Sequence, residues 1–245
     1  MGSAFEDENL AMSTIGEIPP SVQLLGKLDT ELAVEYFREN SVLYLGRKSV
    51  PRKMLALIAM SVSLANAQRD SAVNHFKLAR RFGASGEEVL DAFRISKVVC
   101  ASSLLSALHP MIPMFLAHSK GIPENRAVER ILRTASDSLG LSNPPENWVA
   151  LSRVSFDLIN EHLRENIIFL ASSVFHKKYV YLIATSVSMS INDPENAISY
   201  LDLFFRNGGT WQEFEDAIAV SLFATGNRVL ESGIDILREM ASPCK

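Results

Sequence analysis

Hydrophobic residues recur at helical spacing along nearly the whole chain, and no stretch of any length alternates as a β-strand does. In the first third, apolar positions three and four apart predict one helix through Glu31–Asn40 and another from Pro51 to about Ala67. The second segment is apolar on nearly every side, which is typical of a fully buried helix. The pattern therefore predicts an all-α protein built around this buried helix.

Two further helices are predicted after the buried one. Ser71–Phe82 is amphipathic and is followed by Gly83, a residue type that commonly closes helices. Ser85 and Glu88 have the spacing of a capping box, which predicts the start of a helix extending to about Leu108.

The same order of elements returns 125 residues later. Leu57–Ser63 reads Leu-Ile-Ala-Met-Ser-Val-Ser, and Leu182–Ser188 reads Leu-Ile-Ala-Thr-Ser-Val-Ser. A coincidental match would not preserve core, glycine stop and helix cap in one register, and the period is far longer than in solenoid repeats. The sequence therefore predicts a duplicated domain. The predicted organisation is a flexible tail over 1–20, a first repeat over 21–122, a connecting helix and linker over 123–145, and a second repeat over 146–245.

Composition excludes several classes of function. The net charge is −4 without a basic block, which argues against a nucleic-acid partner. His109, Pro110 and Pro113 interrupt the longest apolar run, so no membrane span is expected. The acidic start does not resemble a secretory signal, and two widely separated cysteines, Cys100 and Cys244, favour a cytoplasmic protein without a structural disulfide. The five histidines lack the spacing of a metal motif, so neither a metal nor another cofactor is predicted.

The repeated unit resembles the AhpD-like and carboxymuconolactone decarboxylase superfamily. The family core reads approximately Glu-Leu-Ile-Ala-Leu-Ala-Val-Ser, then Cys-x-x-Cys-x-x-x-His, then Gly-(Ala/Val)-(Ser/Thr)-x-Glu-Glu. Here Leu57–Ser63 matches the core, His75 matches the histidine, and Gly83–Glu88 matches the turn and cap. The resemblance implies the AhpD-like helical bundle in each half.

The chain departs from the family at its redox positions. The two family cysteines fall on Gln68 and Ser71 in the first half, and on Asp193 and Asn196 in the second. A thiol peroxidase needs one thiolate to attack the peroxide and a second thiol to resolve the product. We therefore expect no thiol peroxidase activity. The family's proton-relay glutamate falls on Ala56 and Tyr181.

The family histidine survives only in the first half, as His75, and becomes Tyr200 in the second. The decarboxylase branch does not use the cysteine pair, and the resemblance places an acid shortly before the histidine, here Asp70. Histidine titrates near neutral pH, so His75 and Asp70 are the predicted catalytic pair. The structural alternative is a histidine satisfied by its neighbours.

Substrate binding is predicted at the start of the same helix. Arg69 would hold a carboxylate group, and Gln68 and Ser71 would line the positions of the family cysteines. The alternative is that Arg69 and Asp70 form a solvated, capped helix start.

Two functions remain open at this point. The first is cofactor-independent acid/base chemistry on a small carboxylate or lactone. The second is a non-catalytic oligomeric relative that kept the assembly and lost the site. The resemblance also implies self-association, because family units often form hexamers. A chain with two units would then form a homotrimer of six units, with a dimer as the alternative.

Overall fold

The computed structural model describes residues 18–118 and 126–242. Regular structure in these ranges is entirely helical, which confirms the predicted all-α fold. The predicted tail over residues 1–20 lies outside the described residues except for its last three positions, and Cys244 also lies outside them. The α-helices are α1 Pro20–Leu28, α2 Thr30–Glu39, α3 Arg52–Ala65, α4 Arg69–Arg81, α5 Gly86–Leu108, α6 Ile112–His118, α7 Arg126–Leu139, α8 Glu146–Ser152, α9 Phe156–Asn166, α10 Lys177–Ser190, α11 Pro194–Arg206, α12 Trp211–Gly226, α13 Arg228–Ser232 and α14 Ile234–Ala241. Short π-helical segments, Asn40–Leu45 and Ile167–Ala171, follow α2 and α9, and a 3-10 turn, His109–Met111, joins α5 to α6.

The buried helix of the first half is α3. Ten consecutive residues, Met54–Ser63, are buried, as the apolar pattern predicted. Pro51 precedes the helix, where its fixed φ suits the entry of the chain. At the other end, Ala67 adopts a left-handed φ of 57°, and the Gln68 N–H donates to the Ser63 carbonyl at 2.9 Å. This closure ends α3 and starts α4 after a single tight turn.

The elements recur at the spacing seen in the sequence. Helices α10 and α11 begin and end 125 residues after α3 and α4, with identical lengths. The left-handed turn recurs too, since Asn192 has a φ of 59° where Ala67 has 57°. The two glycine stops, Gly83 and Gly208, have φ values of 87° and 84°. These matches have the spacing of the predicted repeat, and the duplication of the chain stays a prediction.

The chain nevertheless packs into units that differ from the predicted repeats. Among the described residues, the first compact unit combines 18–85 with 210–242, and the second comprises 86–118 and 126–209. In the first unit α3 packs against α4 and α12, and in the second α10 packs against α11 and α5. The third long helix of each sequence half therefore belongs to the unit built around the buried helix of the other half. The predicted break at residues 143–145 lies inside the second unit, so the predicted domain boundaries do not separate the packing units.

A buried aspartate secures this exchange in the first unit. Asp216 of α12 is only 4% exposed. Its Oδ2 atom accepts hydrogen bonds from the backbone N–H groups of Ser49 and Val50, at 2.6 and 3.0 Å. These two residues lie just before α3, so a carboxylate from the second half of the sequence fixes the entry to the buried helix of the first.

Asp91 has the same role in the second unit, and it lies 125 residues before Asp216. It is 2% exposed, and its Oδ2 atom accepts from the Val174 N–H at 2.6 Å and from the Ser173 hydroxyl at 2.8 Å. The entry to α10 is therefore fixed by a carboxylate from α5.

The run Gly86–His118 is long and apolar enough to span a bilayer by length and hydropathy alone, with a mean hydropathy of 1.6 over its best window. Core helices of globular proteins pass the same test. Within the second unit Ile95 and Val98 of this run have no exposed surface, and Asp91 lies on its buried side.

The first unit contains buried polar atoms without partners among the described residues. The Tyr44 hydroxyl is one of them, although the side chain is only 2% exposed. In the second unit the equally buried Tyr181 donates its hydroxyl to the Leu139 carbonyl at 2.6 Å. These two tyrosines thus differ mainly in whether the hydroxyl group has a hydrogen-bond partner.

Replacing Asp216 with alanine should lower the free energy of unfolding by about 2–3 kcal/mol, because two backbone N–H groups, one of them buried, lose their acceptor. The matched control is Glu215→Ala, since Glu215 is exposed and forms only a surface ion pair with Arg47; its effect should stay below about 1 kcal/mol. Urea unfolding measures both. Equal losses in the two variants would contradict the role given to Asp216.

Removing the hydroxyl group should affect the free energy of unfolding differently at the two tyrosines. Tyr181→Phe should lower the free energy of unfolding by about 1 kcal/mol, because a buried carbonyl loses its donor. Tyr44→Phe should leave stability unchanged or raise it, because no hydrogen bond is lost. Thermal and urea unfolding of the two variants test this, and a loss in Tyr44→Phe as large as in Tyr181→Phe would refute it.

Candidate functional site

Residues at the start of α4 form hydrogen bonds with the C-terminal part of the first unit. Gln68 precedes the helix but does not cap it with its side chain. Instead its Nε2 atom donates to the Ala224 carbonyl of α12 at 2.9 Å, and the side chain is almost fully buried. Gln68 therefore links α4 to α12.

Glu231 caps α4 from elsewhere in the chain. Its Oε1 atom accepts from the Asp70 N–H at 2.8 Å, and its Oε2 atom accepts from the Ser71 N–H at 3.1 Å. The Ser71 hydroxyl donates to the same Oε2 atom at 2.9 Å. N–H groups in the first turn of a helix have no partner within the helix, and the helix dipole favours an anion there. The Glu231 carboxylate thus occupies a natural anion position.

His75 lies one turn beyond Ser71 on the same face of α4. It is 8% exposed, and its ring centroid lies 5.4 Å from that of Tyr44. No hydrogen bond to the ring comes from the described part of the chain. Burial lowers the pKa of His75 to about 4, so the imidazole is neutral at physiological pH.

A pocket of about 50 Å³ opens beside these residues within the first unit. Its volume suits a few water molecules or a ligand of a few heavy atoms. The α4 residues that line it are Asp70, Ser71, Asn74, His75 and Leu78. The opposite walls come from the start of α1, from α2, and from the segment that follows the core of α12, including Tyr36, Phe223, Asn227, Leu230 and Glu231.

The structure brings together three of the five predicted site residues, His75, Asp70 and Ser71. Arg69 is exposed and is not among the residues lining the pocket. Gln68 is absent from the lining as well, because its amide is directed to α12.

Sequence reasoning missed the groups that come from outside α4, above all Glu231 and Asn227. Only the repeat register offered a signal for them. Ser102 and Ser106 occupy the corresponding positions of the first half, 125 residues earlier.

The corresponding positions of the second unit form a closed polar cluster. Asp193 accepts from the backbone and side-chain N–H groups of Asn196, at 3.3 and 2.7 Å. The Asn196 amide also donates to the Ser106 hydroxyl at 3.0 Å. Tyr200, which replaces the histidine, is hydrogen-bonded to Ser102, and burial raises its pKa to about 12. The same scaffold therefore holds an open pocket in one unit and mutually satisfied side chains in the other.

Among residues 18–118 and 126–242, no group of three or more His, Cys, Asp or Glu side chains is arranged to hold a metal ion. The expectation that the protein uses no metal and no other cofactor stays a prediction. The chemistry available in the pocket is that of a neutral imidazole, a carboxylate, and amide and hydroxyl groups.

Comparison with known proteins finds one family model and one solved structure that resemble this chain. Residues 31–111, which contain the start of α4 and His75, match the model of the Carboxymuconolactone decarboxylase family. A solved structure from Burkholderia xenovorans LB400, provisionally assigned as a gamma-carboxymuconolactone decarboxylase subunit, has a TM-score of 0.81 to this chain. The alignment covers 97% of this chain and 96% of that one at 16% identity, so it establishes a shared fold. Comparison with curated proteins finds no match. The match over residues 31–111, together with the shared fold, makes this chain similar to proteins of the Carboxymuconolactone decarboxylase family.

Proposed function

We propose that the first unit carries out cofactor-independent acid/base chemistry on a small carboxylate or lactone, with His75 as the proton-transferring group. One observation carries the proposal. His75 lines a pocket and is nine-tenths buried, yet its ring makes no hydrogen bond within the described residues. Buried polar groups normally have partners, so an unpaired imidazole beside a cavity is suited to bind or deprotonate a ligand.

The environment of His75 links its basicity to the ligand. In the unliganded pocket its pKa is about 4, which makes it a weak base. An anionic ligand within a few ångströms favours the protonated imidazole and raises that pKa towards neutrality. A carboxylate substrate would thereby favour a protonated His75, which can act as a general acid that donates its proton to the substrate.

The remaining groups of the pocket would position the ligand. Asn74 and Asn227 line the pocket and offer amide donors and acceptors. Asp70 is exposed and lies at the rim, so its predicted role beside His75 requires the substrate to reach both. The volume of about 50 Å³ can accommodate part or all of a small molecule.

The second candidate function is that of a non-catalytic relative. It is favoured by Glu231, which already uses the Ser71 hydroxyl and two N–H groups at the start of α4. Under this alternative the start of α4 is purely structural, and His75 is a buried neutral side chain.

Self-association as a homotrimer or a dimer in the cytoplasm forms part of the proposal. Exposed apolar side chains recur at matched positions of the two halves, which supports contact between copies. Leu104 and Met111 are 69% and 60% exposed, and Val229 and Ile236, 125 residues later, are 72% and 66% exposed.

Ligand binding should be accompanied by proton uptake at His75. Small carboxylates and lactones are first screened for those that stabilise the protein. We expect at least one carboxylate among them to bind roughly tenfold more tightly at pH 5.5 than at pH 7.5, because the protonated imidazole is the better partner. Calorimetry in buffers of different ionisation enthalpy measures the proton uptake, and NMR follows turnover of each binder. His75→Gln should abolish both. The exposed His118, replaced by glutamine, is the control. Binding and turnover that survive His75→Gln would refute the assignment, and binding without turnover of any binder would favour the non-catalytic alternative.

Stability should fall in acid partly because of His75. Its folded pKa of about 4 lies below the ordinary 6.5, so between these values the unfolded chain binds more protons than the folded one. The contribution to stability is complete above pH 6.5 and is lost as the pH falls to about 4, by about 3 kcal/mol. Urea unfolding of the wild type and of His75→Gln, from pH 7 to pH 4.5, measures the difference. Curves with the same pH dependence in both proteins would contradict the burial of a neutral His75.

A further inference from the structure

We propose that Glu231 is a built-in carboxylate ligand of the α4 N-terminus, and that an external monocarboxylate binds the first unit by taking over its three hydrogen bonds. This inference rests on the proposed function only in placing the ligand in the same pocket. It predicts that carboxylates and lactones differ in whether their binding depends on Glu231. It also makes Glu231, on the C-terminal segment, a competitor of the external carboxylate.

The hydrogen bonds of Glu231 are those that a bound carboxylate would need. The N–H groups of Asp70 and Ser71 and the Ser71 hydroxyl all point to its two oxygens, at 2.8 to 3.1 Å. Helix α4 has thirteen residues and no side-chain cap of its own, because Gln68 is engaged with α12. The anion position therefore exists independently of which carboxylate fills it.

His75 supplies a second and independent indication of a ligand. It lies four residues after Ser71, hence on the same face of α4, and it lines the same pocket. Its side chain is nine-tenths buried and has no hydrogen-bond partner among the described residues. A small carboxylate seated at the helix start would place the rest of the molecule beside this imidazole.

Glu231 belongs to a segment that can withdraw at low cost. It lies on α13, a helix of five residues, and neither α13 nor α14 contains a buried residue. Segments with little buried apolar surface open more readily than the core that supports them. The start of α13 is connected to the end of α3 by an exposed hydrogen bond, which Arg228 donates to the Asn66 side chain at 3.0 Å.

Electrostatics make the two carboxylates mutually exclusive. Two anions at one helix start repel each other, so the external ligand binds only when Glu231 has left. Competition of this kind lowers the apparent affinity by the fraction of molecules in which the site is free. A neutral lactone does not need the anion position, and its binding should be independent of Glu231.

The test compares the full-length wild type with Glu231→Ala and Glu231→Gln, using sodium acetate as the carboxylate and acetamide as its neutral isostere. Glu239→Ala is the matched control, because Glu239 is an exposed acid on the same C-terminal segment. Calorimetry measures affinity, and the amide resonances of Asp70 and Ser71 report the place of binding.

We expect Glu231→Ala to bind acetate at least tenfold more tightly than the wild type and Glu239→Ala do, with shifts of the Asp70 and Ser71 amides and a concentration-dependent gain in melting temperature. Acetamide should show no such difference. Should Glu231→Ala unfold, Glu231→Gln keeps the shape of the cap without its charge and should show the same gain at smaller size. Equal acetate affinity in all four proteins, or a gain without shifts at Asp70 and Ser71, would overturn the inference.

The result is separable from the fate of the proposed function. Tighter acetate binding in Glu231→Ala without turnover of any carboxylate or lactone would support this inference and count against the enzyme. Turnover of a carboxylate by the wild type that depends on His75 but not on Glu231 would overturn this inference and leave the enzyme intact.

Discussion

A helix that is apolar on every side has to be covered on every side, and this constraint governs both units of the protein. Helix α3 buries ten consecutive residues, and α10 buries nine, Val180–Ser188. The amphipathic helix next in sequence can shield only one flank of each. The remaining cover comes from α12 for α3 and from α5 for α10. The buried carboxylates of Asp216 and Asp91 then fix where each covering helix meets the entry of the buried one.

This scaffold leaves the start of the amphipathic helix as the place where the two halves differ. In the second unit, Asp193 and Asn196 satisfy each other, and Tyr200 has Ser102 as its partner. In the first unit the corresponding polar groups are divided between a helix cap and an unpaired imidazole beside a cavity. The two sites also differ in the backbone, because Glu231 lies on the short helix α13 after a break at Asn227, whereas its counterpart Ser106 lies within the continuous helix α5.

The sequence predicted the local elements well and the long-range partners poorly. Periodicity identified the buried helix around Leu57 and the start of α4, because both depend on residues close together in the chain. The resemblance to the family motif placed His75 at the family histidine position. Neither signal could identify Glu231 as the cap of α4, since 160 residues separate it from Ser71 and a single glutamate in a polar helical segment looks ordinary in the sequence.

The exchanged helices were hidden for a related reason. Helices α5 and α12 occupy matched positions in the two halves, and each would satisfy a buried helix of either half by apolar pattern alone. Asp91 and Asp216 also lie 125 residues apart. The repeat spacing therefore does not show whether each covering helix packs on the buried helix of its own half or on that of the other half. Helical spacing also does not show which way a side chain at the start of a helix is directed, so the sequence could not reveal that Arg69 is exposed and outside the pocket lining.

The exchange also determines when the protein can fold during its synthesis. The first unit needs residues 210 onward, so α3 emerges from the ribosome more than 150 residues before its covering helix α12. The second unit has all of its helices once residue 209 has been made, although its sequence begins later. Contacts this distant in sequence form slowly and leave apolar surface exposed in the meantime. We therefore expect the second unit to fold first during synthesis. The first unit, which carries the pocket, can fold only after its C-terminal helices have been synthesised.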